Sequence, residues 1–280
     1  MALASPVEGT AFRMDGLPPK EALPTQYDLP SEDPEEPGVP DEFHIFQPQL
    51  LRETFRLAAC EPDQVFIGTD INLYYDPHHP LWHKRPDWLA VLGKPPATRQ
   101  EELRLSYVVW QEELVPYVVV ELLSPGTEDE DLGRRLSDLD KTPGKWAVYE
   151  RILKIPYYIL YSRYTGRLQA FGRVSASYRP ILLQEGRLWL PEAGIGLGVW
   201  EGAYAGCTGR WLRWLDGEGH IEPGGGAGQE GLARRVAVQD VVLGNAPGRV
   251  FGLLGQGVPL DPAAFVVRQG LDTACRMGRA

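Results

Sequence analysis

The sequence predicts a mixed α/β fold in which helices flank a central sheet and an antiparallel, β-rich extension follows. Continuous aliphatic runs at 88–92 and 116–123 are typical of strands that are buried on both faces. Apolar residues at helical spacing over 47–58 and 144–154 predict the flanking helices. Short alternating runs that are separated by glycines over 166–221 predict the extension.

The first half of the fold follows directly from these patterns. The helix over 47–58 places Leu50, Leu51 and Phe55 on one face, which we expect to cover the sheet. Four strands are predicted after it, at 64–75, 88–92, 106–110 and 116–123.

The second half begins at Thr142-Pro143, where a capping hydroxyl precedes a proline at the first helical position. The helix over 144–154 is followed by a buried strand at 157–161. In the extension, a meander over 166–200 precedes a hairpin that joins 210–215 to 219–221 through an Asp216-Gly217 turn.

Composition divides the chain into three parts. Residues 1–42 are rich in proline and acid and are predicted to form a flexible or extended arm. Residues 43–222 carry the predicted domain. Residues 223–280 are rich in glycine, show no periodicity, and are predicted to be poorly ordered.

The net charge of −10 is concentrated in the arm, which holds ten acids and two bases. The remaining residues therefore sum to −2, so the domain would meet a polyphosphate through local bases or bound cations. Three cysteines without a CxxC pair favour a reducing cytoplasm. We find no signal peptide and no apolar run of the ~20 residues that a membrane span needs.

Glu121 is the most informative residue, because it places a carboxylate inside the buried run VVVELL. An ionised group there is costly unless a metal or a partner compensates it. Such groups are concentrated at functional sites. The alternative is a structural ion pair, for example with Arg151 or Arg163.

Two further residues accompany Glu121. Asp87 lies at the start of a strand, where alone it would be typical of a solvated strand-end acid. Lys145 lies in the first turn of a helix, where the helix dipole disfavours a cation, although an ordinary exposed lysine is equally typical. Two acids and a lysine around one sheet together indicate a metal-dependent phosphodiesterase.

Other polar groups are weaker candidates. Asp70 would be either an accessory acid or a strand cap. His78, His79 and His83 lack the other ligands of a metal cluster and are better explained by a loop. The bases around the proposed site would either meet phosphates or form polar helix faces; they are Arg134, Arg135, Lys141, Arg151 and Lys154.

Three segments carry a family resemblance: RPDWLAVL, VPYVVVELLSPGTEDEDLGRRL and KWAVYERILKIPYYILYSRYTGRLQAF. With them the chain resembles the Uma-two family of restriction endonucleases, which belongs to the PD-(D/E)xK nuclease superfamily. The resemblance covers about 48–222 and is most specific around 121–127.

The resemblance implies a restriction-endonuclease-like fold and a DNA endonuclease, with Asp87, Glu121 and Lys145 as catalytic residues. Asp87, Glu121 and the main-chain carbonyl of Leu122 would hold Mg²⁺, or alternatively Mn²⁺. The superfamily lysine two residues after the glutamate is replaced by Leu123, and the K-x3-Y spacing of Lys145 fits a lysine moved to the helix.

Two rival functions remain open from the sequence. One is a catalytically silent scaffold or protein-binding module that keeps the nuclease fold. The other is a nuclease for RNA or branched structures. A homodimer would suit a nuclease that cuts both strands of a duplex, and no membrane partner is expected.

Overall fold

The computed structural model describes residues 9–29, 41–57, 60, 62–123, 142–216 and 219–220. These residues contain a six-stranded mixed sheet, three smaller sheets and a few helices, which confirms the predicted mixed α/β class. All of them fall in one compact unit that spans 1–227. The tail predicted over 223–280 lies outside the described residues.

The central sheet contains six strands: β2 (Val65–Thr69), β5 (Trp88–Leu92), β8 (Val118–Leu122), β9 (Tyr157–Ser162), β10 (Arg167–Val174) and β11 (Ser177–Pro180). Their order across the sheet is β11-β10-β9-β8-β5-β2. Within this sheet only β8 and β9 pair in parallel, and the other neighbours are antiparallel.

The middle strands of this sheet are covered on both faces. Every residue of β5 and of β8 is buried, as their continuous aliphatic runs predict. Val118 and Val120 pack in one hydrophobic cluster, and Val119 packs in another. Because alternate residues of a strand point to opposite faces, these two clusters are the two layers of the core.

The described ranges contain three short 3-10 helices, at Lys20–Ala22, Pro62–Gln64 and Gln100–Glu102, and three further helices. The further helices are α1 (Phe43–Thr54), α2 (Val109–Glu112) and α3, in which an α-helical turn (Lys145–Ala147) continues into a π-helical turn (Val148–Ile152). None of them is long and apolar enough to cross a membrane.

Helix α1 covers one face of the sheet, as the sequence predicts, but it begins four residues earlier than expected. Leu50, Leu51 and Phe55 join the same cluster as Val118. The carboxylate of Asp41 accepts the main-chain N–H of Phe43 and so caps the start of the helix.

The extension predicted over 166–221 is wrong for its first two strands, because β10 and β11 join the central sheet. The rest is a three-stranded antiparallel sheet of β12 (Leu188–Leu190), β13 (Ile195–Tyr204) and β14 (Cys207–Leu215). At the predicted hairpin between 210–215 and 219–221, the main-chain N–H of Asp216 donates to the carbonyl of His220 at 2.9 Å, as a turn at Asp216 requires. Strand β14 also pairs with β13 along its whole length. Ala205 and Gly206, both with positive φ, form the turn between them. Of the expected partner segment, Ile221 lies outside the described residues.

The predicted flexible arm over 1–42 is wrong for residues 9–29, which pack against the domain. Strand β1 (Thr10–Ala11) pairs with β7 (Leu114–Val115). Leu23 and Leu29 are buried in a cluster with Trp110. Composition missed this contact because a few apolar residues and main-chain pairing suffice for it. Residues 1–8 and 30–40 lie outside the described residues.

Two predicted strands are shorter than expected. The run over 64–75 is divided into β2 and β3 (Leu73–Tyr74), because Asp70 adopts a positive φ of 47° and ends β2. The run over 106–110 forms β6 (Tyr107–Val108) and then turns into α2. Strands β3, β6 and β4 (His83–Lys84) form a separate small sheet.

Candidate active site

The register of β5 and β8 brings two of the predicted site residues to the same end of the sheet. The antiparallel ladder pairs Trp88 with Val120. Asp87 directly precedes Trp88, and Glu121 directly follows Val120, so both acids lie just beyond the last paired position. The sequence spacing of the two acids, 34 residues, contains no hint of this register.

Glu121 is buried, with 1% of its area exposed, and both carboxylate oxygens accept hydrogen bonds from α3. Lys145 Nζ donates to Oε2 at 2.9 Å, and the Tyr149 hydroxyl donates to Oε1 at 2.9 Å. Residues four apart lie on the same face of a helix, so both donors face β8. The lysine compensates the charge of the buried acid, and the two hydrogen bonds together fix its orientation.

Asp87 contacts the residue that follows Glu121 in β8. Its Oδ2 accepts the main-chain N–H of Leu122 at 2.6 Å. The ladder between β5 and β8 has ended here, so a side chain takes the place of a strand partner for this N–H group. Asp87 is partly exposed, whereas Glu121 is enclosed.

The structure therefore brings all four predicted site residues together. Lys145 contacts Glu121, and Asp87 contacts Leu122, which is the next residue after Glu121. That proximity is what a shared site requires, and their catalytic roles stay a prediction.

The alternative pairing of Glu121 with an arginine is replaced by its pairing with Lys145. Arg151 pairs with Glu150 at 3.2 Å, and Arg163 pairs with Asp41 at 2.6 Å. Of the other bases considered, Lys154 is exposed just after α3, and Arg134, Arg135 and Lys141 lie outside the described residues.

Asp70 lies next to the site but is engaged elsewhere. Its carboxylate pairs with Arg85 at 2.8 Å, and its main-chain N–H donates to the carbonyl of Asp87 at 3.3 Å. Its positive φ ends β2 and turns the chain. These contacts support a capping role, and a role as an accessory acid stays a prediction.

Sequence reasoning missed His44, which α1 places beside Leu122. Its Nδ1 lies 2.9 Å from Asp41 Oδ1, and its Nε2 lies 3.1 Å from the main-chain oxygen of Leu122. His44 is buried, and so is Gln47 three residues later, on the face that also holds Leu51. The available signal was Gln47 on the apolar face of the predicted helix, whereas His44 precedes the predicted start.

Asp41 is set in place from several sides. Burial raises the pKa of its carboxyl group, but hydrogen bonds from His44 and the charges of His44 and Arg163 outweigh burial and hold the pKa below its usual value. Asp41 thus joins the start of α1, the ring of His44 and the end of β9.

The site fits a hard divalent cation through oxygen ligands. Within the described ranges, no group of three or more His, Cys, Asp or Glu side chains lies close enough to hold a metal. Mg²⁺ does not need such a group, since it keeps several waters and binds through one or two carboxylates. Asp87, Glu121 and the carbonyl of Leu122 supply that kind of donor set.

Two of the histidines at 78–83 lie in the expected loop, and one does not. His79 pairs with Asp76 at 2.8 Å and stacks on Trp82, with ring centroids 3.8 Å apart. The main-chain N–H of His78 also donates to Asp76. His83 lies in β4, and its Nδ1 atom is 3.1 Å from the carbonyl oxygen of Leu81.

The chain matches a known protein family over most of the described domain. The model of the Uma2 family, described as "Putative restriction endonuclease", matches residues 17–205. This match includes Asp87, Glu121 and Lys145, and it also includes His44. A search of curated proteins finds no significant match.

Proposed function

Because the chain belongs to the Uma2 family of restriction-endonuclease-like proteins, we propose that it is a metal-dependent endonuclease that hydrolyses phosphodiester bonds in DNA. The observation that carries the proposal is the contact of Lys145 with the buried Glu121, one residue from the contact between Asp87 and Leu122. A lysine beside two acids at the end of one sheet is the arrangement that such chemistry needs.

Asp87, Glu121 and the carbonyl of Leu122 would hold Mg²⁺, with Mn²⁺ as an alternative. When bound, the cation supplies polarisation of the phosphate and a lower pKa for an attacking water. All three donors are oxygens, which suits a hard cation. The Leu122 N–H group fixes the position of Asp87.

Lys145 has two tasks in this proposal. Its ammonium group compensates Glu121, so that the buried acid stays ionised and able to bind a cation. The same group lies where it can orient the attacking water and offset negative charge that builds on the phosphate. Tyr149 assists by holding the second oxygen of Glu121.

Cleavage of supercoiled plasmid DNA in Mg²⁺ tests the proposal. A closed circle has no ends, so nicking or linearisation reports an endonuclease directly. We expect Asp87→Asn and Glu121→Gln each to abolish cleavage while circular dichroism shows an unchanged fold. Activity that survives in both variants would refute the assignment.

Glu150→Gln is the matched control for Glu121→Gln. Glu150 is also a buried glutamate, but its Oε1 accepts the main-chain N–H of Tyr178. We expect this variant to keep its cleavage activity. RNA and branched DNA in parallel reactions would show whether a linear or circular duplex is the preferred substrate.

The silent-scaffold alternative gives a different result. A scaffold has no need to bind metal at Asp87 and Glu121, and its wild type would cut no nucleic acid in the panel. We also propose that the protein forms a homodimer, since two active sites are needed to cut both strands of a duplex. We propose the cytoplasm as its location. Sedimentation with and without DNA tests the dimer.

A further inference from the structure

The turn between β9 and β10 gathers three arginines. Arg163 follows the end of β9, and Arg167 is the first residue of β10. Arg210 of β14 reaches the same turn, because its guanidinium donates to the carbonyls of Thr165 and Arg163 at 3.4 and 3.5 Å. A Cβ atom on Gly166 would collide with this guanidinium, so the Arg210 side chain lies directly on the turn.

The charge of this turn is only partly compensated. Arg163 pairs with Asp41 at 2.6 Å. Arg167 and Arg210 are both exposed, and within the described ranges neither forms an ion pair with a carboxylate. Glu201 lies opposite Arg210 in the ladder of β13 and β14. Three arginines against these two acids leave the described part of the turn with a net positive charge.

Strand register places the turn at the end of the sheet that holds Glu121. Strands β8 and β9 run parallel, and Leu122 is the partner of Tyr161. Arg167 is the partner of Ser162, the residue after Tyr161. Arg167 therefore lies one residue beyond the level of Leu122 and two strands away from it.

Arg167 also shares a face of the sheet with Glu121. Phe171 of β10 packs against the same hydrophobic cluster as Val119 of β8. Alternate residues of a strand point to one face, so Arg167 lies on the face of Phe171, and Glu121 on that of Val119. Adjacent strands are about 4.8 Å apart, which places Arg167 about 10 Å across the sheet from β8. One strand of a duplex advances about 3.4 Å per nucleotide, so this distance spans roughly three nucleotides.

Two of the arginines are held in place by the fold. The Arg163 guanidinium lies over the rings of Phe43 and Tyr164, at 5.0 and 4.8 Å from their centroids. Arg210 is held by its two carbonyl acceptors and keeps its other N–H groups for a partner. Side chains that are already ordered lose less entropy on binding. The guanidinium fork also matches the geometry of a phosphate group.

We propose that the turn between β9 and β10 binds the backbone of the DNA substrate, with Arg167 and Arg210 as its phosphate contacts. The inference rests on the proposed function, because it takes DNA as the polymer on which Glu121 and Lys145 act. Contacts to phosphates fix the position of a duplex and carry no sequence information directly. The turn thus positions the strand beside the site without selecting its sequence.

Fluorescence anisotropy of a labelled DNA duplex tests this contact in EDTA, where chelation of divalent cations prevents metal-dependent cleavage. We expect Arg167→Gln and Arg210→Gln each to weaken binding about five- to tenfold in roughly 0.1 M salt, and to lower the slope of log K against log salt by about 0.9. Arg167→Lys keeps the charge and should keep the slope.

Two exposed arginines elsewhere in the fold provide matched controls. Arg56 also donates to two main-chain carbonyls, as Arg210 does, but it lies beyond the C-terminal end of α1. Arg179 is exposed in β11 and pairs with Gly172, which lies at the opposite end of β10 from Arg167. Arg56→Gln and Arg179→Gln should leave both the affinity and the salt slope unchanged.

The outcomes separate this surface from the proposed function. If the wild type cuts plasmid DNA while Arg167→Gln and Arg210→Gln bind the duplex as tightly as the wild type, the surface is overturned and the nuclease proposal stands. If the wild type binds through these arginines but cuts no nucleic acid, the surface stands and the nuclease proposal is refuted. Equal losses in the Arg56→Gln and Arg179→Gln controls would indicate a general effect of charge and overturn the surface.

Discussion

Lys145 Nζ lies 2.9 Å from Oε2 of Glu121, although the two residues are 24 positions apart and belong to α3 and β8. Glu121 is enclosed by the core, whereas the Lys145 side chain keeps 23% of its area exposed. The pair therefore joins the interior of the sheet to the protein surface.

Lys145→Met should abolish cleavage and destabilise the fold. Removing one partner leaves a buried carboxylate uncompensated, which costs about 3–5 kcal/mol for a fully buried pair and about 2 kcal/mol here because the lysine is partly exposed. Urea denaturation measures the loss. The double variant Lys145→Met/Glu121→Gln should recover most of the stability without recovering cleavage. A single variant as stable as the wild type would contradict the compensating role.

Tyr149→Phe should reduce cleavage about tenfold without abolishing it, because Glu121 keeps its contact with Lys145 but loses the second donor. A hydrogen bond to a charged group contributes roughly 1.5–3 kcal/mol. Tyr178→Phe is the matched control, since its buried hydroxyl donates to the carbonyl of Ile155. Both variants should lose stability, and only Tyr149→Phe should lose activity. Equal activities would show that Tyr149 has no role at the site.

Several parts of the site were predictable from local patterns. The run VVVELL predicted a buried strand that contains an unusual acid, and the structure places Glu121 in β8 as expected. Lys145 lies in the first turn of α3 as expected, but the predicted cap is wrong, because Gly144 and not Thr142 is the N-cap and no side chain caps this end. Family resemblance, and not spacing, linked these residues to Asp87.

Other parts depend on contacts between distant segments. His44 reaches Leu122 across 78 positions, and Asp41 reaches Arg163 across 122, so the local sequence carries no record of either contact. The alternating runs over 166–180 predicted strands but not the sheet that they join. Strand β10 pairs with β9 and β11 pairs with β10, so both belong to the central sheet and not to the extension.

Glu112 should make the fold sensitive to acid. Burial raises the pKa of its carboxyl group, but Arg104 and Lys94, at 2.7 and 2.6 Å, outweigh burial and lower the pKa below 4.5. A lowered folded pKa stabilises the fold fully above the unfolded value, and the contribution is lost as the pH falls through the folded value. Glu112→Gln should thus be less stable than the wild type at pH 7, and the difference should shrink below pH 4.5.

The control for this pH dependence is Glu102→Gln. Glu102 pairs with Arg99 on the surface, where both side chains are largely exposed, so its loss should change stability little at any pH. Denaturation of the three proteins across the acid range provides the comparison. A difference between Glu112→Gln and the wild type that grows as the pH falls would contradict the sign of the lowered pKa.

Leu23→Ala tests the packing of the segment before α1. Leu23 is buried beside Trp110, whose ring N–H donates to the carbonyl of Pro24 at 2.8 Å. Losing a buried leucine costs about 2 kcal/mol at the low end of the usual range. Leu103→Ala is a control, because Leu103 is exposed. Equal stabilities of the two variants would indicate that the segment does not pack on the domain.

Calorimetric titration with Mn²⁺ measures whether Asp87 and Glu121 hold one cation. The wild type should bind one ion per chain, and Asp87→Asn and Glu121→Gln should each lose that binding, while Glu150→Gln keeps it. Equal Mn²⁺ binding in all four proteins, or none in the wild type, would show that these two acids do not hold the cation.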